Sequence, residues 1–392
     1  MRKGRIVSLL NFYLVLLFIV FSVFFPSDFH HMKKVFFTVI ILINIPALWK
    51  MKWRKKDIWI VGIGFVFPVI TILYSIFLTH DITSSLIQGV APFFFLLLLV
   101  IENRKIDFEK VVLIASILLI ALYALIIGLD MLGIVDISST GSEWALRTGI
   151  GYFGKDVTNP FYYKVFIKTS PLLVIPLFYG LYKKNYILSV LAYGCLFVSG
   201  TKANVLFPFI GILLYVFRDF KRQTIVKQRI LIGCILAVVM VGVLNLDNLI
   251  DLFVRKSQES NAVRTGHLKS FLELYISHPK TIFTGMGLGS KFYSSGVSAW
   301  ISSFEFSFLD LFRQLGVFFF SFFLLFLVYP FKKLKSFNKY YLCAYISYLI
   351  IAMTNPLLYS STGFIMYIYV YYCIYRDLNS NEKVSVLEEK DV

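Results

Sequence analysis

The length of its apolar runs constrains this chain most. Blocks of predominantly apolar residues recur from end to end, separated by short charged stretches. About 20 such residues cross a bilayer as a helix, and a helix satisfies its own backbone where there is no water to do so. Only 16% of the residues are charged and 58% are hydrophobic, against roughly 25% charged in soluble domains. That balance excludes a soluble globular enzyme, a disordered chain and a secreted disulfide scaffold. Cys195, Cys234, Cys343 and Cys373 all sit inside apolar blocks without CxxC spacing, so neither a zinc site nor a disulfide framework is indicated.

The first block follows Arg2, Lys3 and Arg5 and ends near Phe25. It is too long for a signal peptide, and Pro26-Ser27-Asp28 is no small-residue cleavage site. Further blocks lie at 35–49, 58–79, 84–101, 111–133, 165–182, 186–199, 203–217, 230–246, 306–330, 340–354 and 359–375. The expectation is an all-α polytopic membrane protein of about twelve spans, one domain over 1–375, with a polar, disordered cytoplasmic tail over 376–392.

The charges test that topology. Lys+Arg number 39 against 22 Asp+Glu, a net +17. In a soluble chain this excess would suggest nucleic acid; among spans it reads as the positive-inside rule. With the N-terminus inside, alternation puts the clusters at Lys50–Lys56, Arg104–Lys110, Lys183–Lys184, Arg218–Arg229 and Lys332–Lys339 on the cytoplasmic side. Both termini then lie inside.

Two outer segments are long, about 134–163 and 247–304, and long loops on one face point to chemistry or recognition there. The second contains a helical pattern over Asn261–Ser277, with Leu268, Phe271 and Tyr275 as an apolar stripe. Arg264 falls within that stripe and His267 beside it. An arginine there snorkels to headgroups, or it requires an anionic partner or a polar cavity. The run Gly285-Met286-Gly287-Leu288-Gly289 opens no βαβ unit, so it reads as a turn of close backbone approach. Glu305 stands at the mouth of the tenth span, a carboxylate at a membrane entrance. Asp310 and Arg313, three apart, read as an intrahelical pair. Lys164 and Lys168 read as two cations on one helical face, which an anion between them would relieve. Ser199-Gly200-Thr201-Lys202-Ala203-Asn204 is a polar turn at a helix start, suited to an anion. Arg147 opens a turn-rich stretch ending in Asn159-Pro160.

In that order these elements resemble the O-antigen polymerase and O-antigen ligase family, especially its capsular and exopolysaccharide repeat-unit polymerases. Arg147 to Asn159-Pro160 resembles the family's arginine, glycine-aromatic and Pro/Asn stretch. Ser199–Asn204 resembles its SG(S/T)R turn, with Lys202 in place of arginine. Arg264, Pro279 and Gly285–Gly289 resemble its R…P-x-x-G-x-G-x-G pattern. Glu305–Gly316 resembles its H-N-x-x-L-x-x-L-x-x-x-G segment, with Glu305 where ligases commonly carry histidine. The likeness covers about residues 60 to 375, and both departures favour a polymerase over a ligase.

The resemblance implies a GT-C-like membrane fold in the bacterial cytoplasmic membrane. It implies a metal-independent glycosyltransferase, without cofactor, acting on the outer face. The substrates would be oligosaccharide repeat units on undecaprenyl pyrophosphate, with a chain-length regulator and a flippase as partners and no nucleic acid. Transfer from a pyrophosphate needs positive charge aimed at developing negative charge. Arg264 is the first choice and Lys202 assists it, with Arg147, Lys164, Lys168 and His267 binding substrate. Glu305 is the best-placed base for the acceptor hydroxyl. A ligase of the same fold is the nearest alternative. A lipid-linked sugar transporter fits less well, because the polar residues gather at one face rather than at the midplane.

Overall fold

The computed structural model describes residues 2–27, 32–155, 163–217, 258–334 and 339–388. Five long helices come first: α1 (Arg2–Phe24), α2 (Met32–Trp49), α3 (Lys55–Thr79), α4 (Ile82–Asn103) and α5 (Phe108–Met131). The short α6 (Ser142–Thr148) leads into a hairpin of β1 (Gly151–Lys155) and β2 (Tyr163–Ile167). Then follow α7 (Val174–Lys183), α8 (Tyr186–Val198) and α9 (Lys202–Phe217). After α10 (Gln258–Ser277) comes a second hairpin, β3 (Phe292–Ser294) and β4 (Ala299–Ile301). The chain finishes with α11 (Ser307–Leu334), α12 (Lys339–Met353) and α13 (Ser361–Glu388).

Among the described residues, six helices are long and apolar enough to cross a membrane: α1 to α5 and α11. Large apolar side chains such as Leu73, Phe77, Phe318 and Leu325 face outward. A soluble protein would have to cover such faces, whereas lipid covers them at no cost. The expected block at 230–246 and the first part of the 247–304 segment lie outside the described residues.

The core sits on α13. Side chains from Phe364 to Tyr371, and again Cys373 to Tyr375, are buried, as expected of a helix apolar on every side. Its tyrosines bring a hydroxyl that needs an acceptor. Tyr367 Oη donates to the Leu358 carbonyl at 2.9 Å and Tyr371 Oη to that of Phe326 at 2.8 Å. Cys195, Cys343 and Cys373 are free thiols.

The fold is mostly helical, as expected of an all-α membrane protein, with two short two-stranded hairpins. Two expectations are corrected. The sixth block does not start as a helix. Residues 163–167 form β2, whose alternating Tyr163, Val165 and Ile167 are buried while Lys164 is exposed. Gly151 lets this strand close onto β1, since a Cβ there would lie 1.8 Å from the Phe166 carbonyl oxygen. Finally, the tail from Arg376 to Glu388 continues α13 rather than being disordered. No glycine or proline interrupts it, and Glu, Lys and Leu favour helix.

The polar contacts collect at two ends. At the lower end, where α1 begins, Arg54 reaches Asp57 and Glu102, and Arg376 reaches Glu109. At the upper end, where α1 finishes, Thr169 Oγ1 donates to the Val23 carbonyl and Lys33 Nζ to Ser361 Oγ.

Candidate functional site

The upper end is organised around the kink of α11. Gly316 has φ 66° inside an otherwise helical run. Its backbone lies against that of Gly285, φ 68°, where an added Cβ would come within 2.5 Å of the Gln314 oxygen and the Gly316 nitrogen. The Met286 and Gly287 amides donate to the Arg313 and Gln314 carbonyls at 2.8 and 2.9 Å. The glycine run is therefore the close-approach turn its spacing predicts. It pins the segment before β3 to the first turns of α11.

Asp310 and Arg313 form the predicted pair, and it is buried. Arg313 Nη2 lies 2.8 Å from Asp310 Oδ1, and its side chain is 0% exposed. Arg313 Nη1 donates to the Ser290 hydroxyl at 2.8 Å, Nη2 to the Ser302 carbonyl at 2.9 Å, and Gln314 Nε2 to Asp310 Oδ2 at 3.0 Å. Buried charge is tolerable when its hydrogen bonds are filled this way. Arg313 thus ties the glycine turn, the strand exit and the helix together, and it holds the segment that carries Glu305.

Arg264, on α10, has the anionic partner its position demands. Its Nε lies 2.6 Å from Glu305 Oε2. The two side chains are 38% and 46% exposed, so this pair is open to water and to exchange for another anion. Lys202, the first residue of α9, lies close enough to Arg264 for the two positive charges to repel. His267 is buried on the same helix, with Nδ1 2.5 Å from the Ser294 hydroxyl and its ring tilted against Phe304. Burial holds its pKa below the ordinary histidine value, against the opposing pull of Glu305 and Asp310. The α10 helix is less one-sided than its stripe suggested. Phe271 is buried as expected, while Leu272 and Ile276 are exposed apolar side chains.

Glu305 also lines a cavity of about 680 Å³, together with Asp310, Gln314, Lys168, Lys33 and Lys34. Every one of these residues is at the upper end. Lys168 Nζ donates to Ser27 Oγ at 3.2 Å. Lys164 and Lys168 do share a face, but a strand face of period two rather than a helical one. Phe166, between them on that face, lines the cavity too. Lys164 lies over the Tyr152 ring, its Nζ 5.3 Å from the centroid, with its stem against Gly200.

Arg147 is the predicted residue that the fold leaves apart. It pairs with Glu143 on α6 at 3.2 Å, with side chains 78% and 72% exposed, and it does not line the cavity. The reason is local. The two residues are four apart on one helix and complete each other in solvent.

Sequence reasoning missed Lys33 and Lys34. A signal for them existed, since alternation puts both on the outer side, where the positive-inside rule expects few lysines. Among the described residues no His, Cys, Asp and Glu group forms a metal cluster. No protein-family model matches the chain, and neither a curated protein nor a solved structure does.

Proposed function

We propose that this chain is a polysaccharide polymerase. In this reading it joins oligosaccharide repeat units carried on undecaprenyl pyrophosphate, at the outer face of a bacterial cytoplasmic membrane. Twelve spans, a GT-C-like arrangement and cytoplasmic termini belong to the same proposal, with the upper end outermost. The observation that carries it is the half-exposed Arg264–Glu305 pair at the edge of the upper cavity. A guanidinium and a carboxylate in contact there supply the two groups such a transfer needs.

The chemistry runs as follows. The acceptor sugar hydroxyl attacks the anomeric carbon of the donor glycan. The bond between that carbon and the pyrophosphate oxygen breaks, and a glycosidic C–O bond forms. The hydroxyl proton passes to Glu305. The pyrophosphate leaves as an anion, with Arg264 and Lys202 facing its growing charge. In the resting site Arg264 holds Glu305. An arriving pyrophosphate competes for the guanidinium and releases the carboxylate to act as base. His267, buried, positions α10 against β3 through Ser294.

The test is deletion of the gene in its host, followed by mass spectrometry of the lipid-linked glycans. Single repeat units on the lipid, exposed at the outer leaflet, are the expected result. Long polymer retained on the lipid would assign a ligase instead. Single units confined to the inner leaflet would assign a flippase.

A further inference from the structure

Two side-chain amides on the cavity wall are each locked at one end and open at the other. Gln88, half-buried on α4, lines the cavity, and its Oε1 accepts from the Gly289 amide at 3.2 Å. An N–H can be met only by the oxygen end of a carboxamide. This contact therefore fixes which way round Gln88 sits and leaves Nε2 as its free end. Among the described residues Nε2 has no hydrogen-bond partner, and it is not sealed into the packing. The Gly289 amide does not depend on Gln88. Gln314 Oε1 accepts from the same N–H at 3.3 Å, and Gln314 is committed at its other end to Asp310. The turn is gripped elsewhere too, since the Leu288 amide donates to Ser75 Oγ at 2.8 Å and Ser85 Oγ donates to the Leu288 carbonyl at 3.2 Å. The turn holds Gln88 more than Gln88 holds the turn.

Asn355, between α12 and α13, lines the same cavity and shows the opposite polarity. Its Nδ2 donates to the Ile351 carbonyl at 3.1 Å. A carbonyl can be met only by the nitrogen end, so Oδ1 is left over, and among the described residues nothing donates to it. The wall thus presents one open donor and one open acceptor. A sugar hydroxyl both accepts and donates and suits the two together, whereas an ionised pyrophosphate has no proton to give Asn355. Phe166 and Tyr359 add apolar surface for the C–H side of a sugar ring. The volume of about 680 Å³ falls within the roughly 300–1,000 Å³ of small-molecule sites.

We propose that Gln88 and Asn355 are the specificity-determining residues of a sugar subsite, in which Gln88 Nε2 donates to, and Asn355 Oδ1 accepts from, hydroxyls of a sugar ring of the repeat unit. The assignment rests on the polymerase reading and narrows its substrate class to a glycan with neutral hydroxyls on the ring held here. Neither residue makes or breaks a bond. They orient the ring against Glu305, which lines the same cavity. A sugar lacking the matching hydroxyl leaves a locked amide unpaired, and that is how such a site discriminates.

The test uses the full chain in lipid nanodiscs and two probes, the repeat-unit lipid purified from the host and undecaprenyl pyrophosphate without glycan. Native mass spectrometry should show the wild type binding the glycan-bearing lipid more tightly. Gln88→Met and Asn355→Leu keep the side-chain volume and remove the open polar end. Each should weaken the glycan-bearing lipid by about threefold to tenfold and leave the bare lipid unchanged, which also shows that the variant folds. The double variant should bind the two lipids alike. Gln88→Met should keep the wild-type melting temperature, because Gln314 still takes the Gly289 N–H. Equal binding of both lipids by the wild type would overturn the proposal. So would equal weakening of both lipids in the variants, which would mean that the amides read the pyrophosphate or only prop the turn. Failure of the polymerase reading shows separately, as polymer that persists in the deletion strain.

Discussion

The two ends of the molecule spend charge differently. At the lower end the ion pairs tie one helix to another. Glu102 takes both Arg54 at 3.1 Å and Lys56 at 2.5 Å, and Glu109 takes Arg376 at 2.5 Å while accepting from the Tyr340 and Tyr341 hydroxyls. The Asn44 side chain accepts from Arg104 Nε at 2.7 Å. These contacts fasten α2 to α4 and α5 to α12 and α13. At the upper end Asp310–Arg313 is a buried brace and Lys155 pairs with the buried Asp130 at 2.7 Å. Arg264 sits beside the cavity, and Lys33, Lys34 and Lys168 line it. One end is charge used as mortar and the other is charge held ready. Substitutions at the two ends should therefore separate stability from activity.

The largest effect belongs to Arg264→Ala. Removing one preorganised donor from a developing anion costs about 10²–10³ in rate. Polymer synthesis should fall by that factor while the purified chain melts within a few degrees of the wild type, because the pair is half exposed. Glu305→Gln should match it, and Arg264→Lys should recover part of the rate, since a point charge replaces a bidentate fork. Retention of full synthesis by both Arg264→Ala and Glu305→Gln at normal expression would break the site.

Gly285→Ala tests the brace. A methyl group there meets backbone atoms of Gln314 and Gly316 at 2.5 Å, which no rotamer change relieves, at a φ of 68° that L residues avoid. A loss of more than about 3 kcal/mol is expected, read as absence of folded protein or a steep fall in melting temperature in detergent. An unchanged melting temperature would mean that the glycine turn does not pin the first turns of α11.

Glu109→Gln addresses the lower end. It leaves the Arg376 guanidinium with the Asp377 carboxylate alone, at 3.5 Å. Breaking a buried pair costs 3–5 kcal/mol. The partial exposure of Arg376, 38%, scales that to roughly 2 kcal/mol. Thermal melting should show the loss, and the folded fraction should keep its turnover per molecule. Lost turnover without lost stability would erase the distinction between the ends.

These contrasts also show which parts were legible in the chain. Helix-length apolar blocks and their charge alternation carry the long helices and the two-ended layout, because hydropathy acts locally and survives any tertiary context. Arg264 and Glu305 are each identifiable from their stations, one on an apolar stripe and one at a helix mouth. Their pairing across 41 residues is not, since no periodicity links them. Lys164 and Lys168 sit four apart, a spacing that helix and strand both place on one face, so the face was readable and the element was not. Tertiary closure onto Gly151 decided for the strand. Lys33 and Lys34 were masked by their shortness of signal: two lysines in a nine-residue turn carry weight only once the topology is drawn.

His267 sharpens the comparison through pH. Its folded pKa is held below the ordinary value, chiefly by burial. The unfolded ring binds its proton more tightly than the folded one. Its contribution to stability is therefore complete above about pH 6.5 and is lost as pH falls through and below that value. The wild type should lose melting temperature between neutral and mildly acidic pH, and His267→Asn should flatten that slope. The lower-end variant Glu109→Gln should leave the slope in place. A slope that persists in His267→Asn would assign it to another group.

The smallest effect is expected at Arg147, and it bears on the resemblance most directly. The family pattern marks this arginine as a substrate ligand, whereas the fold spends it on Glu143 in open solvent. An exposed helical pair of this spacing is worth about 0.3–0.5 kcal/mol. Arg147→Ala should therefore shift melting by little and leave polymer yield and length distribution unchanged. The informative control is Glu143→Ala, which frees the same arginine without removing it. If Arg147→Ala cut synthesis while Glu143→Ala raised it, the pair would be a resting state from which Arg147 swings toward substrate. The upper end would then hold a third displaceable cation outside the cavity wall. Equal indifference to both changes would leave the chemistry with the residues around Glu305.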